Sequence, residues 1–206
     1  MLVGTLSPAD PEIHVSGKNL KKVMLMIDET TADLMLAKNL GCDAVITHHP
    51  IGVTAVNFYK VIDRHVDYMV DNGISEKIAR TCVKDLKKRV EIRNHTQIYS
   101  SVIDSAKILN MPLVNIHQPC DEYAKRVISK KISERDPNLI SEMISTLTEI
   151  PEFKMVETEI QVAYGQPDSL VGKWVAVIAA GTNGGYLVAK TYFEYGIGTV
   201  LYFHID

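Results

Sequence analysis

The sequence has few cysteines and no large excess of charge of either sign, and each shortage excludes a class of protein. Its three cysteines, Cys42, Cys82 and Cys120, are odd in number and form no C-x-x-C pair. This pattern argues against a disulfide framework or a zinc ribbon and is typical of a reducing compartment. The 22 Lys and Arg residues are offset by 25 Asp and Glu residues, which leaves a net charge of -3. We therefore expect no nucleic-acid partner held by bulk positive charge.

Long hydrophobic runs are also missing. The longest apolar stretch covers residues 174–180, far fewer than the ~20 residues that a helix needs to span a bilayer. The N-terminus shows no basic segment followed by an apolar run, so the sequence predicts a cytoplasmic protein with no membrane partner. With 206 residues, 46% of them hydrophobic and 23% charged, the composition is that of a folded globular protein.

The first half of the chain alternates short apolar runs with helical patterns. Strands are predicted at residues 23–27 and 44–47, on either side of a helix at 30–39, which together form a βαβ unit. Residues 59–109 predict three helices, and residues 112–116 predict a third strand.

The second half repeats this alternation. A helix is predicted at 122–132, with Asp121 as its N-cap, and a second helix at 139–147. An antiparallel or edge strand is predicted at 156–164. Two more strands, at 174–180 and 199–203, flank a further helix.

These elements predict an α/β fold in which two βαβ-type halves form one mixed, mostly parallel sheet flanked by helices. A helical insertion, at about residues 57–110, follows the second strand. We expect residues 1–206 to form a single domain. The chain stops three residues after its last predicted strand, where a covering helix usually follows, so we expect this domain to be incomplete at its C-terminus.

Residues suited to metal binding follow two of the predicted strands. His48 and His49 end the second strand, and His117 and Asp121 follow the third. Neighbouring residues of a strand point to opposite faces, so the adjacent imidazoles can hold metal together only if the chain turns, which Pro50 favours. The carboxyl ends of parallel strands share one edge of a sheet, and a carboxylate can bridge two divalent ions. The pattern therefore predicts a metal site at this edge.

Structural roles for the same residues stay open at this point. One of the adjacent histidines can be exposed while the other binds a backbone group, and Asp121 can simply cap a helix. His95 is a further candidate beside the metals, whereas His65 and His204 fit structural roles better. Asp28, after the first strand, either orients a metal-bound water or caps the following helix.

The glycine-rich turn at residues 181–185 lies between a strand and a helix, where backbone amides can bind an anion. It contains neither a Walker A nor a G-x-G-x-x-G pattern, so a plain tight turn is the alternative. No G-x-S-x-G motif is present, so the sequence predicts no serine nucleophile of that type.

Several segments of the sequence resemble the Nif-three-like family, whose members are also called GTP cyclohydrolase I type 2 homologs. These segments lie, in the family's order, at residues 23–31, 41–52, 94–95, 116–121 and 180–200. The more specific features are the double histidine His48-His49 and the later His117-x-x-x-Asp121. The long helical insertion is similar to that of one subgroup of the family.

The resemblance implies a dinuclear metal centre with His48, His49 and Asp121 as ligands and with His117 and His95 close by. Two divalent ions are expected there, and Zn, Fe, Mn and Ni all suit such ligands. The family pattern also includes a histidine and an acidic ligand beyond the final strand, in a segment that this sequence does not contain. The resemblance further implies a homo-oligomer, commonly a hexamer.

The expected function is that of a divalent-metal-dependent hydrolase. The resemblance to GTP cyclohydrolase I type 2 and the glycine-rich turn favour a nucleotide or another phosphorylated small molecule as substrate. The alternative, from a different class, is a non-catalytic regulatory or scaffold protein that binds metal.

Overall fold

The computed structural model describes residues 11–179 and 182–205. Four strands form a mixed sheet: β1 Glu12–Val15, β2 Val23–Met26, β3 Ala44–Thr47 and β4 Leu113–Asn115. Their order is β1-β4-β3-β2, in which β2, β3 and β4 run parallel and β1 is antiparallel to β4. The predicted fold class, an α/β fold with a mixed, mostly parallel sheet flanked by helices, is confirmed.

Helices make up most of the remaining regular structure. They are α1 Thr31–Asn39, α2 Gly52–Asn57, α3 Asp63–Asp71, α4 Glu76–His95, α5 Ser101–Leu109, α6 Gln118–Arg135, α7 Ile140–Thr148, α8 Pro151–Lys154 and α9 Tyr186–Glu194. A short 3-10 helix, Phe58–Ile62, joins α2 to α3. Helices α2 to α5 lie between β3 and β4, so the helical insertion after the second predicted strand is also confirmed. None of the helices in the described part of the chain has both the length and the apolar character needed to cross a membrane.

Two further strands, β5 Trp174–Ala176 and β6 Thr199–Leu201, pair in parallel as a sheet of their own. The prediction that they continue the first sheet is wrong. Val177, just after β5, packs in a core shared with α3, α4 and α9, whereas Ala176 and Ile178 pack with α6 and α7. Helices therefore bury both faces of this short sheet without the help of the first one.

The sequence patterns were also wrong about three local features. Strand β1 was not predicted, because its four residues are too few to show a clear alternation. Residues 156–164 form no strand, and most of them are exposed. Helix α6 begins at Gln118 rather than at 122, so Asp121 lies in its first turn instead of capping it. Pro119 fits this earlier start, because the first turn of a helix does not need its N–H.

Helices α1 and α5 cover one face of the four-stranded sheet. Leu34 and Ala37 of α1 and Ala106 of α5 form a buried cluster with Val45 of β3 and Leu113 of β4. The capping box at Thr30 and Asp33 fixes where α1 begins, directly after the end of β2. This packing holds the carboxyl ends of β2, β3 and β4 at one edge of the sheet.

Candidate metal centre

The pairing of parallel strands brings the predicted metal ligands to one edge. Thr47, the last residue of β3, is in register with Asn115, the last residue of β4. The β2–β3 pairing also continues beyond the strand, since the amide of His48 donates to the Met26 carbonyl at 2.9 Å and the amide of His49 donates to that of Ile27 at 3.0 Å. The backbone of both histidines is therefore held by the sheet rather than by a free loop.

Three imidazole rings meet at this edge. The ring centroids of His48 and His117 are 4.5 Å apart, those of His48 and His49 are 5.3 Å apart, and those of His49 and His117 are 5.6 Å apart. One nitrogen from each ring lies within 4.8 Å of the other two. Nitrogens bonded to one zinc ion at about 2.1 Å lie no more than about 4.2 Å apart, so small movements of the rings would let the three nitrogens hold one ion.

Asp121 places a buried carboxylate beside the three rings. Its Oδ1 is 3.3 Å from His48 Nε2, and its Oδ2 is 3.5 Å from His117 Nε2. Asp121 follows His117 by four residues, so the two side chains lie on the same face at the start of α6. A negative side chain is also favoured in the first turn of a helix, where the helix dipole is positive.

Hydrogen bonds orient the two adjacent histidines. His48 Nδ1 lies 3.2 Å from the Ile116 carbonyl oxygen, which can only accept, so Nδ1 carries the proton and Nε2 keeps its lone pair. His49 Nδ1 lies 2.6 Å from Asp28 Oδ1, a contact that leaves the other ring nitrogen available in the same way. Histidines that bind metal commonly have this arrangement, with a carbonyl or carboxylate behind the ring.

Burial keeps His117 neutral. Burial, together with the smaller effects of the neighbouring His48 and His49, lowers the pKa of His117 to about 3. The Phe58 ring, 5.3 Å from the His117 ring, forms part of the apolar wall. A neutral imidazole has a free lone pair, so a cation does not need to displace a proton from His117 at neutral pH.

The other sequence candidates lie elsewhere. His95 is exposed at the end of α4, with its ring 6.2 Å from that of Tyr59. His204 is exposed, and its backbone carbonyl accepts from Asn183 at 3.4 Å. His65 is fully buried and bonds to Thr182. The first residue of the glycine-rich turn lies outside the described residues.

Comparison with known proteins identifies the family. No family model and no curated protein matches the chain. A solved structure, the crystal structure of a NIF3 superfamily protein from Sphaerobacter thermophilus, is 40% identical and superposes with a TM-score of 0.93 over 98% of this chain and 76% of that one. This chain belongs to the NIF3 superfamily. The family predicted from the histidine motifs is therefore confirmed.

Sequence reasoning about this NIF3 protein missed two residues close to the histidines. Phe58 lies in the 3-10 helix, where no periodic pattern marks it as part of a site. Glu29 follows Asp28 and is buried, and burial raises the pKa of its carboxyl although Thr47 and His49 oppose that rise. Asp28 contacts His49, and Thr30 rather than Asp28 caps α1.

Proposed function

We propose that this NIF3 protein is a divalent-metal-dependent hydrolase, with metal held by His48, His49, His117 and Asp121. The observation that carries the proposal is the group of three imidazole nitrogens within 4.8 Å of one another, beside a buried carboxylate. Nitrogen and carboxylate donors suit Zn, Fe, Mn and Ni. Because burial keeps His117 neutral, its imidazole can bind a cation at neutral pH without first losing a proton.

The two oxygens of Asp121 support a centre with two ions. Oδ1 faces His48 and Oδ2 faces His117, so each oxygen has a different imidazole as its neighbour. A carboxylate in this position can bridge two ions and share one negative charge between them.

A bound divalent ion would supply a Lewis acid and would lower the pKa of a bound water to about 7. The protein's own part is to fix the ligands before any ion binds. Asp28 holds the His49 ring, the Ile116 carbonyl holds the His48 ring, and Phe58 shields His117. A nucleotide or another phosphorylated small molecule is the proposed substrate, in keeping with the family's resemblance to GTP cyclohydrolase I type 2.

The test combines metal analysis with an activity assay. Chelator-treated protein is loaded with Zn, Mn, Fe or Ni, the bound metal is counted by mass spectrometry, and hydrolysis of a nucleotide panel is followed by chromatography. His48→Ala and Asp121→Ala are expected to lose both metal and turnover, and His95→Ala, which alters an exposed histidine outside the cluster, is expected to keep both. Metal binding without turnover of any substrate would favour the scaffold function. Equal metal content in wild type and His48→Ala would refute the site itself.

A further inference from the structure

A second group of charged side chains lies where α3 and α6 meet, outside the histidine cluster. Lys125 Nζ is 3.3 Å from the centre of the Tyr68 ring, and the guanidinium carbon of Arg64 is 5.9 Å from the same centre. Tyr68 is buried, and both cations are half-buried. Two positive side chains therefore share one aromatic ring at the edge of the core, and we call Lys125 and Arg64 the cation pair.

The cation pair has no carboxylate of its own among the described residues. No carboxylate oxygen there lies within 4.0 Å of Lys125 Nζ or of the Arg64 guanidinium. The nearest acidic side chain on α6, Glu122, is in contact with Arg126 at 3.4 Å and with the Tyr68 hydroxyl at 3.4 Å. Burial lowers the pKa of Lys125, and the charges of Arg64 and Arg126 lower it further, against the opposing effect of Glu122 and Asp71. Partly buried like charges destabilise one another unless an anion neutralises them.

The cation pair lies close to the proposed metal centre along the same helix. His117, Asp121 and Lys125 follow one another at intervals of four residues, so their side chains emerge from the same face of α6. Four residues advance a helix by about 6 Å, a span that a small substrate can cover.

Helix α3, which carries Arg64 and Tyr68, also contacts the chain that leads from β5 into the glycine-rich turn. The Tyr68 hydroxyl donates to the carbonyl of Ile178, just beyond β5, at 3.2 Å. His65, next to Arg64 in sequence, is 2.7 Å from the hydroxyl of Thr182. The Tyr68 ring that the two cations share is thus fixed both against α6 and against the chain that follows β5.

We propose that Lys125 and Arg64 bind the phosphate of a phosphorylated substrate whose reacting group lies at the histidine cluster. A guanidinium offers two parallel donors to phosphate oxygens, and an ammonium adds a point charge. The site favours phosphate because two cations match its double negative charge. The assignment of this phosphate to a substrate rests on the proposed function, whereas its binding to the cation pair does not.

The binding test uses inorganic phosphate and chelator-treated full-length protein, so that no metal takes part. Isothermal titration calorimetry compares wild type with Lys125→Met and Arg64→Met, in a His48→Ala background to exclude binding at the imidazoles. Either substitution is expected to weaken binding roughly tenfold or more. Lys130→Met is the matched control, because Lys130 is an exposed lysine on the same helix whose ion pair is with Glu134, and it is expected to leave phosphate binding unchanged.

One further variant and a folding check separate the effect of charge from that of folding. Lys125→Arg keeps the positive charge and is expected to restore most of the phosphate affinity, which a purely structural lysine would not predict. Circular dichroism on each variant checks that the fold is kept. Unchanged phosphate affinity in both Lys125→Met and Arg64→Met, or no wild-type binding at about 10 mM phosphate, would overturn the inference.

The outcome is distinct from that of the metal test. Phosphate binding that depends on Lys125, in a protein that binds no metal, would support the anion site and refute the hydrolase. Hydrolysis of a phosphorylated substrate with an unchanged KM in Lys125→Met would support the hydrolase and overturn the anion site. Where both proposals hold, Lys125→Met raises KM for the phosphorylated substrate roughly tenfold and changes kcat less.

Discussion

His65 is a buried histidine whose neutral form the fold requires, and this requirement makes stability depend on pH. Its side chain is 0% exposed, and its Nε2 lies 2.7 Å from the Thr182 hydroxyl oxygen. That hydroxyl donates its own proton to the Ala179 carbonyl at 2.7 Å, so the N–H must belong to His65 Nε2. Burial, together with the smaller effect of the positive charge of Lys125, lowers the pKa of His65 from 6.5 to about 4.

The sign of the effect follows from where the protons bind. The pKa is lower in the folded chain, so the unfolded chain takes up a proton on His65 as the pH falls below 6.5, whereas the folded chain resists until about pH 4. The stabilisation is therefore complete above pH 6.5 and is lost between pH 6.5 and 4. A tenfold change in proton affinity is worth about 1.4 kcal/mol, so the whole difference amounts to about 3 kcal/mol.

Urea unfolding of metal-free protein at about pH 7.5 and about pH 4.5 measures this loss. Between these values the free energy of unfolding of the wild type is expected to fall by about 2 to 3 kcal/mol more than that of His65→Gln, which cannot take up the proton. His204→Gln alters an exposed histidine and should follow the wild type. Parallel pH profiles for wild type and His65→Gln would refute the reasoning, whatever the absolute stability of the variant.

Two substitutions test the surroundings of the sites. Asp28→Asn removes the charge behind His49, a proposed metal ligand, so zinc affinity measured against a chelator should fall about 10- to 100-fold. The exposed control Asp67→Asn should leave zinc affinity unchanged. Equal zinc affinities in wild type and Asp28→Asn would show that Asp28 does not act on the cluster. Gly184→Ala should destabilise the chain by about 2 to 4 kcal/mol, because φ is +73° and the new Cβ would lie 2.9 Å from His65 Nδ1. Gly73 has a similar positive φ with open space around it. Its replacement by alanine should therefore lower the free energy of unfolding only by the cost of the backbone conformation. Equal losses of unfolding free energy in Gly73→Ala and Gly184→Ala would contradict the proposed clash.

The strand-end histidines could be located from sequence because their placement depends on local rules. A short apolar run ending at Thr47 predicts a strand, and parallel pairing then sets the edge to which His48 and His49 belong. The start of α6 was placed four residues too late, since Asp121 looks like an N-cap when read alone. The carboxylate still lies beside the imidazoles, because a four-residue interval joins it to His117 in a helix.

The cation pair could not be located in the same way. Arg64 and Lys125 are about sixty residues apart in the sequence and are brought together only by the packing of α3 against α6. Spaced basic residues on a helix indicate a solvated face in most sequences. The separate β5–β6 sheet was missed for a similar reason, since its independence depends on which helices cover it and not on the strands themselves.

Helix α6 carries a negative and a positive side chain on successive turns. Its first turn carries the Asp121 carboxylate, which attracts a cation, and the next turn carries Lys125, which with Arg64 attracts an anion. A metal ion alone would add positive charge near the cation pair, and phosphate alone would add negative charge near the Asp121 carboxylate. A phosphorylated substrate bound to the metal centre would satisfy both, because its phosphate matches the two cations while the ion neutralises the carboxylate. Each ligand should then strengthen the binding of the other, and this reciprocity follows from charge balance without any movement of the fold.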